Sequence, residues 1–121
     1  MENEIILTVF TPAYNRAHTL HRCYESLCRQ KCKQFKWLII DDGSSDNTLD
    51  IVKEYAKEDD RVRYVSFSRN FGKEAAMLAG LRHSEGDYVT LMDADLQDPP
   101  ELIPQMLDKW REGFDVIYGK R

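Results

Sequence analysis

At 121 residues the chain has the length of one domain, enough to bury a core without disulfide or metal support. A composition of 42% hydrophobic and 31% charged residues, with six Gly and four Pro, excludes collagen, coiled coil, disorder and a disulfide scaffold. A net charge of −4 argues against nucleic acid as a partner, because sequence-blind binding needs a basic surface.

The N-terminus, Met1-Glu2-Asn3-Glu4, is acidic and lacks the basic start and apolar stretch of a signal peptide. Ile5 to Thr11 is a β-branched run that predicts a buried strand. Leu20, Cys23, Tyr24, Leu27 and Cys28 form an apolar stripe at helical spacing, which makes Cys23 and Cys28 small core residues. Phe35 to Ile40 predicts a second strand. Leu49, Val52, Tyr55 and Ala56 predict a second helix, with Ser45 or Asp46 as its N-cap. Val62 to Phe67 alternates as a third strand does, and Ala75 to Leu81 predicts a buried helix. Tyr88 to Met92 is the fourth strand. Pro99-Pro100 opens a helix with Leu102, Ile103, Met106, Leu107 and Trp110 on one face, and Val116 to Tyr118 begins a fifth strand. No run approaches the roughly 20 apolar residues that span a bilayer. The three cysteines, Cys23, Cys28 and Cys32, cluster in one segment, which suits a reduced, cytoplasmic setting.

Such alternation defines an α/β fold: a Rossmann-like, mostly parallel five-stranded sheet with helices on both faces. Ligands of these sheets bind beyond the carboxyl ends of the strands. Unpaired sheet edges would favour a homodimer.

Four consecutive strand ends carry polar residues: Pro12 to Asn15, Asp41 to Asp46, Ser68 to Lys73 and Asp93 to Asp98. Asp93 and Asp95, at i and i+2, project to one side of an extended chain, and Gln97 continues the progression. A divalent cation, Mg2+ or Mn2+, would relieve the repulsion of two carboxylates and share phosphate oxygens of a ligand. A strand-end cap and solvated turn residues account for the same aspartates without a metal. Gly43 suits a tight turn, but the adjacent carboxylates of Asp41 and Asp42 at the end of an apolar strand need partners, such as a nucleobase N–H or a ribose hydroxyl. Arg69 and Lys73 are natural counter-charges for a diphosphate, although a solvated helix start explains Lys73 equally well. Tyr14 offers a ring to stack on a base or to pack. His18, His21 and His83 show no metal spacing, and Cys28 and Cys32 lack the further ligands of a zinc site.

In this order and spacing, Pro12-Ala13-Tyr14-Asn15, Asp41-Asp42-Gly43-Ser44-Ser45-Asp46, Arg69-Asn70-Phe71-Gly72-Lys73 and Asp93-Ala94-Asp95 resemble the family 2 inverting glycosyltransferases. The resemblance runs from Ile5 to Arg121 and implies a GT-A fold that uses a nucleotide-diphosphate sugar, UDP- or GDP-linked. It implies a nucleotide pocket at Pro12, Ala13, Tyr14, Asn15, Asp42, Arg69, Lys73, Asp93 and Ala94. It also implies a D-x-D metal site of Asp93 and Asp95, joined by Gln97. The stretches Phe67 to Ala76 and Asp93 to Glu101 are similar to the branch that transfers sugars to polyprenyl phosphates, the dolichol-phosphate mannosyltransferases and undecaprenyl-phosphate glucosyltransferases. Thr11 to Arg16 and Trp37 to Asp42 are similar to general polysaccharide-type members.

The implied chemistry is direct displacement at the anomeric carbon with inversion, to a polyprenyl phosphate or a saccharide. The resemblance implies that 1–121 is a single donor-binding domain, with the acceptor portion and any catalytic base absent, so that the fragment transfers sugar weakly or not at all. It implies a cytoplasmic place, at the cytoplasmic face of the membrane for a full-length parent. Two other readings stay open. One is a phospho-acceptor receiver domain, which shares the length, the alternation, clustered aspartates and a lysine such as Lys120 after the last strand. The other is an engineered or truncated folding domain without activity.

Overall fold

A computed structural model describes residues 7–29, 34–84 and 88–94, with Asp108 and Glu112. Over these residues, strands and helices alternate as β1 (Leu7–Ala13), α1 (Leu20–Arg29), β2 (Phe35–Asp41), α2 (Thr48–Glu58), β3 (Val62–Ser66), α3 (Lys73–His83) and β4 (Tyr88–Leu91). The helix predicted from Pro99 and the strand predicted at Val116 to Tyr118 lie outside the described residues, apart from the helical Asp108. The fifth strand of the expected sheet falls among them.

The four strands are parallel in the order β3-β2-β1-β4. That order separates the chain from the receiver-type reading, whose doubly wound sheet runs 2-1-3-4. Strand alternation splits the core into two layers. Leu7, Val9, Trp37 and Ile39 pack with Leu20, Cys23 and Leu27 of α1 and Val52 of α2. Phe10, Leu38 and Ile40 pack on the other face with Ala76 of α3. The indole Nε1 of Trp37, buried in the first layer, donates to Thr11 Oγ1 at 2.9 Å, so the largest buried side chain leaves no polar atom unpaired.

Three expectations need correction. In α3, Ala76 and Gly80 are buried, but Leu78 and Leu81 are exposed. Small residues let the helix lie close on the sheet, and its leucines face away. Cys28 is only half-buried, at the margin of the core, where the Arg61 guanidinium reaches its sulfur at 3.7 Å. The N-cap position of α2 is Asn47. Asp46, one residue earlier, does the capping chemistry: its carboxylate accepts from the Thr48 N–H at 2.9 Å and from the Thr48 hydroxyl.

Candidate functional site

The chain runs from β1 outward to β3, then crosses to β4 on the other side of β1. Successive connections therefore part between β1 and β4, the place where doubly wound sheets bind ligands. Pro12 helps to open that place. Odd-numbered residues of β1 bond towards β2, as the Ala13 carbonyl does in accepting from the Asp42 N–H at 2.9 Å. Even-numbered residues bond towards β4, as the Phe10 carbonyl does in accepting from the Met92 N–H at 3.0 Å. Pro12 is the next even residue and has no N–H to offer. The β1–β4 ladder ends at Phe10 and Leu91, while β1 stays paired with β2 through Ala13.

A cleft of about 180 Å3 lies there. Its walls are Pro12, Ala13, Tyr14 and Arg16 after β1, Asp42 after β2, Lys73 at the start of α3, and Asp93 and Ala94 after β4. The structure thus brings together seven of the nine residues expected at a nucleotide pocket, and Asn15 and Arg69 are not among its walls. Asp95 and Gln97 lie outside the described residues. A second hollow of about 380 Å3 runs beside edge strand β3, between Ala56 and His83, away from the strand ends.

Hydrogen bonds explain why the loops hold these positions. Asp42 is buried, and its two carboxylate oxygens accept from the N–H groups of Phe71 (2.8 Å) and Gly72 (3.1 Å), which ties β2 to the start of α3. Asp41, also buried, accepts from the Ser44 N–H at 3.2 Å and the Ser66 hydroxyl at 3.4 Å. The adjacent carboxylates therefore have protein partners, and Asp42 also lines the cleft. Tyr14 is 44% exposed, and its ring is free to take a planar ligand. The Lys73 ammonium stands 3.5 Å from an Asp93 oxygen. Ala94 is pinned from α1's side, its carbonyl accepting from Thr19 Oγ1 at 2.6 Å.

Asn15 faces the neighbouring loop instead. It adopts a left-handed φ of 52°, and its side-chain oxygen accepts from the Ser45 N–H (2.8 Å), the Asp46 N–H (3.2 Å) and the Ser45 hydroxyl (3.3 Å). Asn tolerates that conformation better than other side chains. Burial pushes the nearby Asp46 carboxyl up, but hydrogen bonds from Thr48 and from the Ala17 N–H outweigh it, leaving the group below its ordinary range. Arg69 is exposed, with its guanidinium 4.6 Å from the centre of the Phe71 ring. Sequence reasoning missed Arg16 as a cleft residue; its signal was adjacency to the Pro12–Asn15 stretch.

Among the described residues the charged walls, Arg16, Lys73, Asp42 and Asp93, sum to zero. A ligand bearing several negative charges therefore calls for added positive charge. Asp93 offers hard carboxylate oxygens, the donor type that Mg2+ and Mn2+ take, so the residues present fit a divalent cation shared with ligand phosphates. Among the described residues no three His, Cys, Asp or Glu side chains group to hold a metal by themselves.

Residues 8–121 match the family described as glycosyl transferase family 2. Over 124 residues the chain is 39% identical to an uncharacterized glycosyltransferase, YkcC, of Bacillus subtilis, covering 100% of this chain and 38% of that protein. It is 37% identical to an undecaprenyl-phosphate 4-deoxy-4-formamido-L-arabinose transferase of Proteus mirabilis, covering 95% of this chain and 36% of that protein. The mannosyltransferase PcManGT of Pyrobaculum calidifontis, solved with GDP-Man and Mn2+, superposes with a TM-score of 0.73 at 25% identity, over 88% of this chain and 32% of that one. The chain thus spans well under half the length of the curated relatives it matches. Among the described residues no helix is long and apolar enough to cross a membrane.

Proposed function

The chain belongs to glycosyl transferase family 2, and from that membership we propose that it carries the donor-binding half of an inverting glycosyltransferase. On this reading residues 1–121 form a single domain. The cleft between β1 and β4 takes a nucleotide-diphosphate sugar, UDP- or GDP-linked, with Mg2+ or Mn2+. The observation that carries the reading is the convergence of four strand ends on one switch-point cleft with a stacking ring, buried acceptors and paired charges.

The Tyr14 ring stacks on the base, and the Asp42 carboxylate accepts from base or ribose beside its two backbone partners. Asp93, with Asp95 and Gln97, would hold the metal. When bound, the ion supplies electrophilic stabilisation to the charge growing on the leaving diphosphate. Lys73, now beside Asp93, is within reach to share that diphosphate, and a preorganised cation contributes most where negative charge develops. The acceptor attacks the anomeric carbon from the side opposite the leaving group, which inverts it.

The acceptor is a polyprenyl phosphate or a saccharide. A phosphate acceptor is already anionic and needs no general base, whereas a hydroxyl does. The likeness to an undecaprenyl-phosphate transferase favours the lipid phosphate, and hence action at the cytoplasmic face of a membrane. Acceptor-binding groups belong, on this reading, to the length of the relatives that the chain does not span. Among the described residues β3 is an edge strand, which suits a homodimer.

Calorimetric titration with UDP and GDP, with and without Mn2+, tests the proposal. Binding is expected to require the metal and to be abolished by Asp95→Ala. Unchanged affinity in that variant would remove the metal assignment, and failure of both nucleotides to bind would remove the donor reading.

A further inference from the structure

Resting on the reading of the cleft as a donor site, we infer that Arg16, rather than Arg69, anchors the nucleotide's diphosphate. Two cations line the cleft, Arg16 and Lys73. Lys73 shares its charge with Asp93 at 3.5 Å. Among the described residues no carboxylate pairs with Arg16; its guanidinium donates only to the neighbouring Asn15 carbonyl, at 3.3 Å. Among the described residues its charge is therefore the one on the walls that no carboxylate compensates.

The backbone of Arg16 is fixed on both sides. Its N–H donates to Thr48 Oγ1 at 2.9 Å, and its carbonyl accepts from the N–H groups of Thr19 (3.1 Å) and Leu20 (3.2 Å). The preceding Asn15 is clamped to the Ser44–Asp46 loop by its side-chain oxygen and by its own N–H, which donates to Ser44 Oγ at 3.0 Å. Asn15 thus acts as a positioning residue for Arg16. Arg16 is half-buried, its fixed backbone leaves only side-chain freedom to lose when a ligand arrives, and its planar fork matches two phosphate oxygens at once. Arg69 is exposed. Its guanidinium stacks on the exposed Phe71 ring, outside the cleft walls.

The alternative for a guanidinium in this position is the carbonyl edge of the base, and ligand dissection separates the two. The 121-residue protein with Mn2+ is titrated with UDP, GDP, uridine and guanosine, the nucleosides being followed by NMR shift changes. Arg16→Gln is expected to weaken UDP and GDP by about ten- to a hundredfold, the value of a lost charge-assisted pair, and to leave nucleoside affinity in place. Arg16→Lys should fall between, and Arg69→Gln should change diphosphate affinity by less than about threefold, as an exposed charge does. Wild-type circular dichroism and urea midpoints in the variants exclude misfolding. If Arg16→Gln binds UDP and GDP as the wild type does, or loses nucleosides and diphosphates alike, the assignment of Arg16 is overturned while the donor reading stands. If the wild-type protein binds neither nucleotide, both fall.

Discussion

A Cβ placed on Gly43 would lie 2.1 Å from the Arg69 carbonyl carbon and 2.4 Å from the Asn70 nitrogen, at a φ of 69°. The glycine serves the turn, and it also lets the loop after β2 touch the backbone of the loop after β3. The same contact puts the Phe71 and Gly72 N–H groups on Asp42. At the far end of the sheet a different carboxylate does comparable work. Asp59 accepts from the Arg61 guanidinium (2.9 and 3.1 Å) and the Tyr24 hydroxyl (2.8 Å). The Arg61 hydrogen bond, opposed by burial, holds the Asp59 carboxyl at about 2, and donating to Asp59 pushes the Tyr24 hydroxyl up. The unfolded chain protonates the same group near about 3.9. A depressed folded-state value stabilises the fold above the unfolded value, and that contribution is lost as pH falls through the folded one. Between about pH 4 and about pH 2 the protein should lose about 1–2 kcal/mol from this site, after allowance for solvent screening. Urea unfolding of wild type and Asp59→Asn across that window checks it: the gap between the two should narrow towards pH 2. A constant gap would assign the pair no titrating role.

The helix α3 connects the core to the cleft. Its Gly80 sits so close to the sheet that a Cβ would meet the Phe10 ring at 2.1 Å. Phe10 is itself buried and packed against Leu38 and Ile40, so the ring has little room to yield. Two effects oppose each other in Gly80→Ala. Helix propensity gains about 1 kcal/mol, while overpacking costs about 1–3 kcal/mol. A separation this short favours the second, so the variant should be destabilised by about 1–2 kcal/mol, as read from its urea midpoint. Adding Phe10→Leu should restore part of the loss, because the two changes act on one contact. A net stabilisation by Gly80→Ala alone would show that α3 lifts freely from the sheet. Since Lys73 begins this helix, a lifted α3 would also carry a cation away from Asp93.

Across the whole molecule, what could be read from the sequence followed range. Strands were visible in short apolar runs rich in β-branched residues, such as Thr8-Val9-Phe10-Thr11 and Leu38-Ile39-Ile40, and the cleft followed from the rule for alternating sheets. Partnerships were not visible where the two residues lie about thirty positions apart, as Asn15 with Ser45, Arg16 with Thr48 and Asp42 with Phe71 do. Nor did the apolar run of α3 show which leucines face out, since it lacks a polar stripe to mark one side. Strand order also sets where binding should be felt. All cleft walls lie at the carboxyl end of the sheet, and the Asp59–Arg61 pair lies at the loop entering β3, at the opposite end. A nucleotide at 100 times its dissociation constant stabilises the fold by about 2.7 kcal/mol, which for a chain of this size raises the melting temperature by about 10 °C. Hydrogen exchange locates the effect. With UDP or GDP and Mn2+, slowing is expected at Ala13–Arg16, Asp42–Asp46 and Phe71–Lys73, while Asp59 to Arg61 should gain only what global stabilisation confers. Slowing centred on β3 and His83 would instead place the ligand in the hollow beside the edge strand, and the switch-point cleft would lose its claim to the nucleotide.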